Sequence, residues 1–241
     1  MQLNPQDLRS PPGESWQQAL IRLERVCRSD WEYFEDDDGE ESAVTLAEHV
    51  EAGELLKRHA PQPGREFDAL VQAYGLQGEP ALRQMLCGDG GFSIHRASFE
   101  SGVGDSLMEI NQGCDKRAAL LPNLLPLTQA IGSNFTSHFA DKALSAEQRS
   151  ALDSRFFAFG RCQHWEAEVD VEYLLLDAAG GFTSFLFAEG DYPSTLRRAN
   201  ELLAAGAASE PDFDRFLVQR IQWALMALMR SNDFDPEACG A

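Results

Sequence analysis

Residues 164–176 read HWEAEVDVEYLLL. Trp165, Ala167, Val169, Val171, Tyr173 and Leu175 alternate there with Glu166, Glu168, Asp170 and Glu172. A period of two marks a strand that turns one face to a core and the other to solvent. Asp177-Ala-Ala-Gly-Gly181 then offers a turn, and Phe182 to Ala188 a second β-rich run. The segment 164–188 is therefore expected to be an antiparallel hairpin with one buried and one acidic face. The return strand carries no Lys or Arg. Its carboxylate ladder is then either exposed or balanced by a distant element or another molecule.

Outward from this hairpin the chain is mostly helical. Ser15 and Gln18 form a capping box after Pro11-Pro12, ahead of Trp16, Ala19, Leu20, Leu23, Val26 and Cys27 at helical spacing. Thr45 and Glu48 read as a second box, predicting a helix to about His59, with Pro61 and Pro63 beyond it. Phe67 to Tyr74 reads as a short helix closed by Gly75, and Pro80 to Cys87 as another, before the turn Gly88-Asp-Gly-Gly91. Two short strands are expected over 92–99 and 106–110, and a helical stretch broken by Pro122, Pro126 and Gly132 over 117–140. Ser145 and Gln148 make a third box, predicting a helix to about Phe159. Pro193-Ser194 starts a helix to about Ala205, and Pro211 precedes a final, nearly all-apolar helix to about Arg230. The expected class is α+β and helix-rich, with about eight or nine helices around a small antiparallel sheet that contains the 164–188 hairpin. One domain over 1–241 is expected, with 133–145 the candidate subdivision.

The net charge of −19 on 241 residues is the abnormal quantity. Asp30 to Glu54 holds eleven acidic residues, and Glu166 to Asp191 seven, with no Lys or Arg in either. The remainder has 21 acidic and 20 basic residues and is nearly neutral. Such a pattern disfavours nucleic acid and anionic membranes, which call for a basic face, and favours a basic protein partner. The sequence offers no apolar signal core near Met1, no run of 18 apolar residues, and five scattered cysteines (27, 87, 114, 162, 239) without a CxxC. Reduced thiols in a cytoplasm are the expectation.

Catalytic and metal motifs fail on inspection. In Phe34-Glu-Asp-Asp-Asp-Gly39 a calcium loop with Gly at position six would need Asp first and Glu twelfth, but Phe34 and Thr45 stand there. Gly104-Asp-Ser-Leu107 resembles the GDSL esterase motif. That family places its Ser near the N-terminus and an Asp-x-x-His near the C-terminus, whereas here the last histidine is His164 and no Asp-x-x-His occurs. Ser106 then lacks an adjacent base. His49, His59, His95, His138 and His164 match no zinc spacing, and Gly88 to Gly91 lacks the residues of a phosphate loop. No cofactor, metal or catalytic residue is expected.

Residues 31–41, WEYFEDDDGEE, place aromatics against uncompensated carboxylates. Trp31 lies four residues after Cys27, so it either continues the buried face of the first helix or anchors an interface. Rings at an interface centre fill pockets while surrounding charges steer the encounter. The candidate partner-binding residues are Trp31, Tyr33, Phe34, Glu35, Asp36, Asp37, Asp38, Glu40 and Glu41, with Glu166, Glu168, Asp170 and Glu172 as a second surface.

In general character, acidic, soluble and free of motifs, the chain resembles cytosolic immunity proteins of bacterial toxin pairs, such as those guarding against type VI secreted effectors. The resemblance covers composition and segments 30–54 and 164–177. It implies a non-enzymatic antitoxin that occludes a toxin's active site or blocks its assembly. A nuclease is the best-fitting toxin, since an acidic inhibitor imitates the phosphate backbone its cleft binds. The alternatives are an effector adaptor or chaperone of a secretion system, and a hydrolase with Ser106 as nucleophile.

Overall fold

The computed structural model describes residues 2–35, 41–76, 79–98, 102–110, 124–134, 144–164, 170–188, 190–204, 209–232 and 234. Among these are eight α-helices: α1 (Trp16–Cys27), α2 (Ala47–Glu51), α3 (Gly64–Tyr74), α4 (Pro80–Gln84), α5 (Leu127–Asn134), α6 (Ala146–Arg155), α7 (Tyr192–Ala204) and α8 (Phe213–Arg230). The strands are β1 (Glu32–Glu35), β2 (Glu41–Val44), β3 (Leu56–Arg58), β4 (Phe92–Ser98), β5 (Gly102–Ile110), β6 (Leu125–Pro126), β7 (Phe156–His164), β8 (Asp170–Asp177) and β9 (Phe182–Ala188). β1 and β2 pair with each other, while the rest form one seven-stranded sheet in the order β3-β4-β5-β7-β8-β9, with β6 on β7. The α+β class holds, but the sheet is larger than the small one expected.

Three local departures, with the short β6 in the stretch expected to be helical, account for the larger sheet. The helix opened by Ser145 stops at Arg155, and Phe156 to Phe159 begins β7. Those four residues are buried on both faces, so no alternation marked them as a strand. The expected strand over 164–176 is instead divided: His164 ends β7 and Asp170 opens β8, and the two are cross-strand partners. The helix expected from Thr45 to His59 ends at Glu51, just before Gly53 takes φ +67°, and β3 follows. Thr45 supplies no cap three residues on. Its hydroxyl oxygen accepts from Ala47 N at 3.2 Å and donates to Cys27 O at 3.3 Å.

The chain divides into two compact units. The first comprises 1–57, 94–108 and 214–241. Here α1 starts on a complete Ser15–Gln18 capping box and buries Leu20, Leu23, Val26 and Cys27. Asp214 Oδ1 accepts from Trp16 N at 2.9 Å, and Gln222 Nε2 donates to Leu8 O at 2.7 Å, tying α8 to the N-terminal segment. Phe216, Leu217, Ile221, Leu225, Leu228 and Met229 of α8 are buried, in line with its apolar circumference.

The second unit comprises 58–93 and 109–213, so 133–145 falls inside it. Helices α5, α6 and α7 contribute Leu127, Ile131, Leu152 and Ala199 to a core built on Tyr173, Leu175, Phe185 and Phe187 of the sheet. Burying each of those Phe side chains is worth roughly 2–3 kcal/mol. Phe159, Phe182 and Phe213 make a second aromatic cluster, with centroids 4.9 to 6.1 Å apart. Gly90 closes the loop before β4 at φ +79°, where a Cβ would sit 1.9 Å from His59 O, so only glycine fits.

Candidate functional site

β8 lies between β7 and β9, and its register fixes which residues share a face. His164, Asp170 and Ala188 stand in one cross-strand row, and Cys162, Glu172 and Leu186 in another. Val171, Tyr173 and Leu175 alternate with them and belong to the helix-covered core. Asp170 and Glu172 therefore lie on the face away from α5, α6 and α7, both partly exposed. The neighbour of Glu172 is a histidine: His164 Nε2 stands 3.3 Å from Glu172 Oε2. Arg161, farther back along β7, forms an ion pair with Glu109 at 2.6 Å. Glu172 thus has a close basic group from an adjoining strand that sequence reasoning missed. Finding it required knowing that the chain reverses between His164 and Asp170, and no periodicity announced that reversal.

The segment expected to be an acidic loop contains a two-stranded ladder. Tyr33 pairs with Ala43, Phe34 with Ser42, and Glu35 with Glu41. Like charges at directly opposed positions destabilise a ladder by a few tenths of a kcal/mol up to about 1 kcal/mol. Trp31, by contrast, is only 7% exposed. Its indole Nε1 donates to Val26 O at 2.8 Å and its ring lies 6.1 Å from Phe234. It continues the buried side of α1, so its ring belongs to the core and not to a contact surface. Asp36, Asp37, Asp38, Glu40, Glu166 and Glu168 lie outside the described residues. The first acidic segment belongs to the first unit and β8 to the second.

Other chemistry-bearing groups stand apart. Ser106 is buried within β5, which begins at Gly102, four residues before the expected strand. His49 meets Glu54 at 3.2 Å on α2 and its following turn. Burial, reinforced by Glu24 and opposed by Arg28, pushes the Cys27 thiol up to about 12. Burial also raises Cys87, with Arg83 lowering it and Asp68 adding to the rise. Hydrogen bonds from the Ser194 side chain and backbone hold the exposed Asp191 below the usual carboxylate value, with help from Arg197 and Arg198 and against a small loss of hydration. That carboxylate caps the start of α7. Among the described residues no three His, Cys, Asp or Glu side chains gather as metal ligands, and no helix is long and apolar enough to cross a membrane.

Comparison of the chain with protein-family models, with curated proteins and with solved structures finds no match in any of the three.

Proposed function

We propose that this protein is a non-enzymatic immunity protein that binds and neutralises a cognate protein toxin with a basic surface, a nuclease effector being the best-fitting class. The observation that carries this reading is the confinement of 11 and 7 acidic residues, with no Lys or Arg among them, to two segments of a chain otherwise near neutrality; of these, Asp177 is matched from outside its segment by Arg155. Packing like charges together is unfavourable unless a cationic surface meets them. The shared face of Asp170 and Glu172 supports the reading. The burial of Trp31 narrows it. The proposed contacts are Tyr33, Phe34, Glu35, Asp36, Asp37, Asp38, Glu40 and Glu41, with Glu166, Glu168, Asp170 and Glu172. No cofactor, nucleic acid or membrane is involved, and the proposed compartment is the cytoplasm.

The test uses the product of the neighbouring gene. Co-expression should relieve its toxicity in a bacterial host, and the purified pair should associate at a rate that falls steeply with salt, as steered encounters do. Replacing Asp36, Asp37 and Asp38 by Asn should slow association by ~10-fold or more. A neighbour whose toxicity is unrelieved, or association indifferent to both salt and these substitutions, refutes the proposal.

A further inference from the structure

In the first unit a groove of about 820 Å³ lies between the N-terminal segment and α1. That is the upper range of natural ligand sites. Its character departs from that of the whole molecule. In a chain of net charge −19, Arg9, Arg22 and Arg25 line this groove against two carboxylates, Asp7 and Glu14.

The three guanidinium groups are in different states. Arg22 is consumed: its Nε and Nη2 donate to Glu14 at 2.8 and 3.0 Å, Nη2 to Ser10 Oγ at 2.8 Å, and Nη1 to Asp7 O at 3.1 Å. Arg22 and Glu14 are each 4% exposed at the side chain, so this pair is the fixed floor. Arg25 gives one nitrogen to Asp7 at 2.7 Å and leaves the rest of its fork at a half-exposed rim. Arg9 is exposed and has no ion-pair partner among the described residues. One wall is Ile21, which at 58% is the most exposed large apolar side chain among the described residues, with Pro11 and Pro12 nearby. An aliphatic side chain held in water and a guanidinium without an ion-pair partner among the described residues thus line one groove, and a ligand with matching parts would satisfy both.

We infer that this groove binds an extended peptide segment bearing a carboxylate beside an aliphatic side chain. The carboxylate takes the Arg9 fork, which suits a planar two-oxygen acceptor. The aliphatic group covers Ile21. Three arginines against two carboxylates leave the groove one positive charge, which matches a monoanion. A phosphate dianion would meet Asp7 and Glu14 at close range. Gln18 Oε1 is taken by Ser15 N, which leaves Gln18 Nε2 and the Gln6 amide to serve a peptide backbone, and these would be left unsatisfied under a bare acyl chain. The residues of this groove are not those of the acidic surfaces proposed above, and the inference does not depend on that reading.

The experiment is fluorescence polarisation on the full chain with labelled pentapeptides Ala-Leu-Xaa-Leu-Ala, where Xaa is Glu, Gln, Lys or phosphoserine. The Glu peptide should bind best. Arg9→Gln should weaken it by ~10-fold, the loss expected for one charge-assisted pair. Ile21→Ser should weaken Glu and Gln peptides alike. Both positions are exposed, and circular dichroism checks that the variants fold. Equal binding of the Glu and Gln peptides, no binding at all, unchanged affinity in Arg9→Gln, or preference for phosphoserine each overturns the inference. Toxin neutralisation by Arg9→Gln, measured in parallel, keeps failure here distinct from failure of the antitoxin reading.

Discussion

Asp177 receives both arms of the Arg155 guanidinium, Nε on Oδ1 at 3.0 Å and Nη2 on Oδ2 at 2.8 Å, at the point where β8 turns toward β9. The carboxylate also accepts from Ala179 N at 2.9 Å and from Ser209 Oγ at 3.0 Å. One buried side chain therefore joins the end of α6, the 177–181 turn and the approach to α8.

Replacing Asp177 by Asn should destabilise the protein by about 2–4 kcal/mol at pH 7, because a buried charge-assisted network loses its anion. Burial alone pushes this carboxyl up. The hydrogen bonds from Arg155, Ala179 and Ser209, with the Arg155 charge, outweigh it and hold the group below its ordinary value. A folded value below the unfolded one, roughly 3.9, gives stability that is complete above that pH and is lost as pH falls through the folded value. The gap between wild type and Asp177→Asn should therefore be full at pH 7 and shrink below about pH 4. Urea unfolding at the two pH values measures it, and a gap independent of pH contradicts the assignment.

β9 is an edge strand whose outward backbone is occupied at Phe182, Leu186 and Ala188. Phe182 exchanges two backbone bonds with Glu210 (2.8 and 2.7 Å), Leu186 O accepts from Arg198 Nη1 at 3.2 Å, and Ala188 N donates to Thr195 Oγ1 at 3.3 Å. Unpaired edges invite pairing with another chain. The double variant Arg198→Ala, Thr195→Val should lose about 1–3 kcal/mol and show concentration-dependent self-association in light scattering. A variant that is destabilised yet strictly monomeric would mean that these side chains support α7 without guarding the edge.

The parts of this fold that could be read in advance are those set by neighbours in sequence. The Ser15 and Ser145 boxes form as written, and Gly75 closes α3 in the left-handed conformation, at φ +64°. The alternation over Asp170 to Tyr173 reports the sheet face correctly because one side of β8 is core. Phe156 to Phe159 concealed β7 because strands buried on both faces lose their period. Trp31 shows the limit of local reading. Its spacing from Cys27 allowed a buried ring, but the companion ring, Phe234, comes from the other end of the chain. Charge was fully legible, whereas the pairing of Glu172 with His164 depended on tertiary register.

Thiol reactivity gives an independent check on packing. Cys87 is partly exposed, whereas Cys27 and Cys162 are buried. The thiolate is the reactive form, and the Cys27 value of about 12 leaves almost none of it at neutral pH. Iodoacetamide at pH 8 should modify Cys87 in the native protein, while Cys27 and Cys162 react only through opening of the fold. Site-resolved mass spectrometry should show Cys27 labelling accelerate in step with any destabilising substitution. Rapid native labelling of Cys27 would contradict its placement against the α1 core.

The acidic segments should weaken the fold that carries them. Repulsion among surface charges is largely screened beyond the Debye length, which shrinks from about 10 Å at 0.1 M salt to about 3 Å at 1 M. With −19 on the chain and eleven carboxylates between Asp30 and Glu54, melting temperature should rise as sodium chloride goes from ~0.02 to ~0.5 M. Asp36→Asn, Asp37→Asn and Asp38→Asn combined should raise the melting temperature at low salt and flatten its salt dependence. The same substitutions are expected to slow capture of a basic partner. Gain of stability with loss of association is the signature of charge kept for a partner. If the triple variant is less stable at low salt, those aspartates are instead neutralised within the protein, and the electrostatic basis of the antitoxin reading fails.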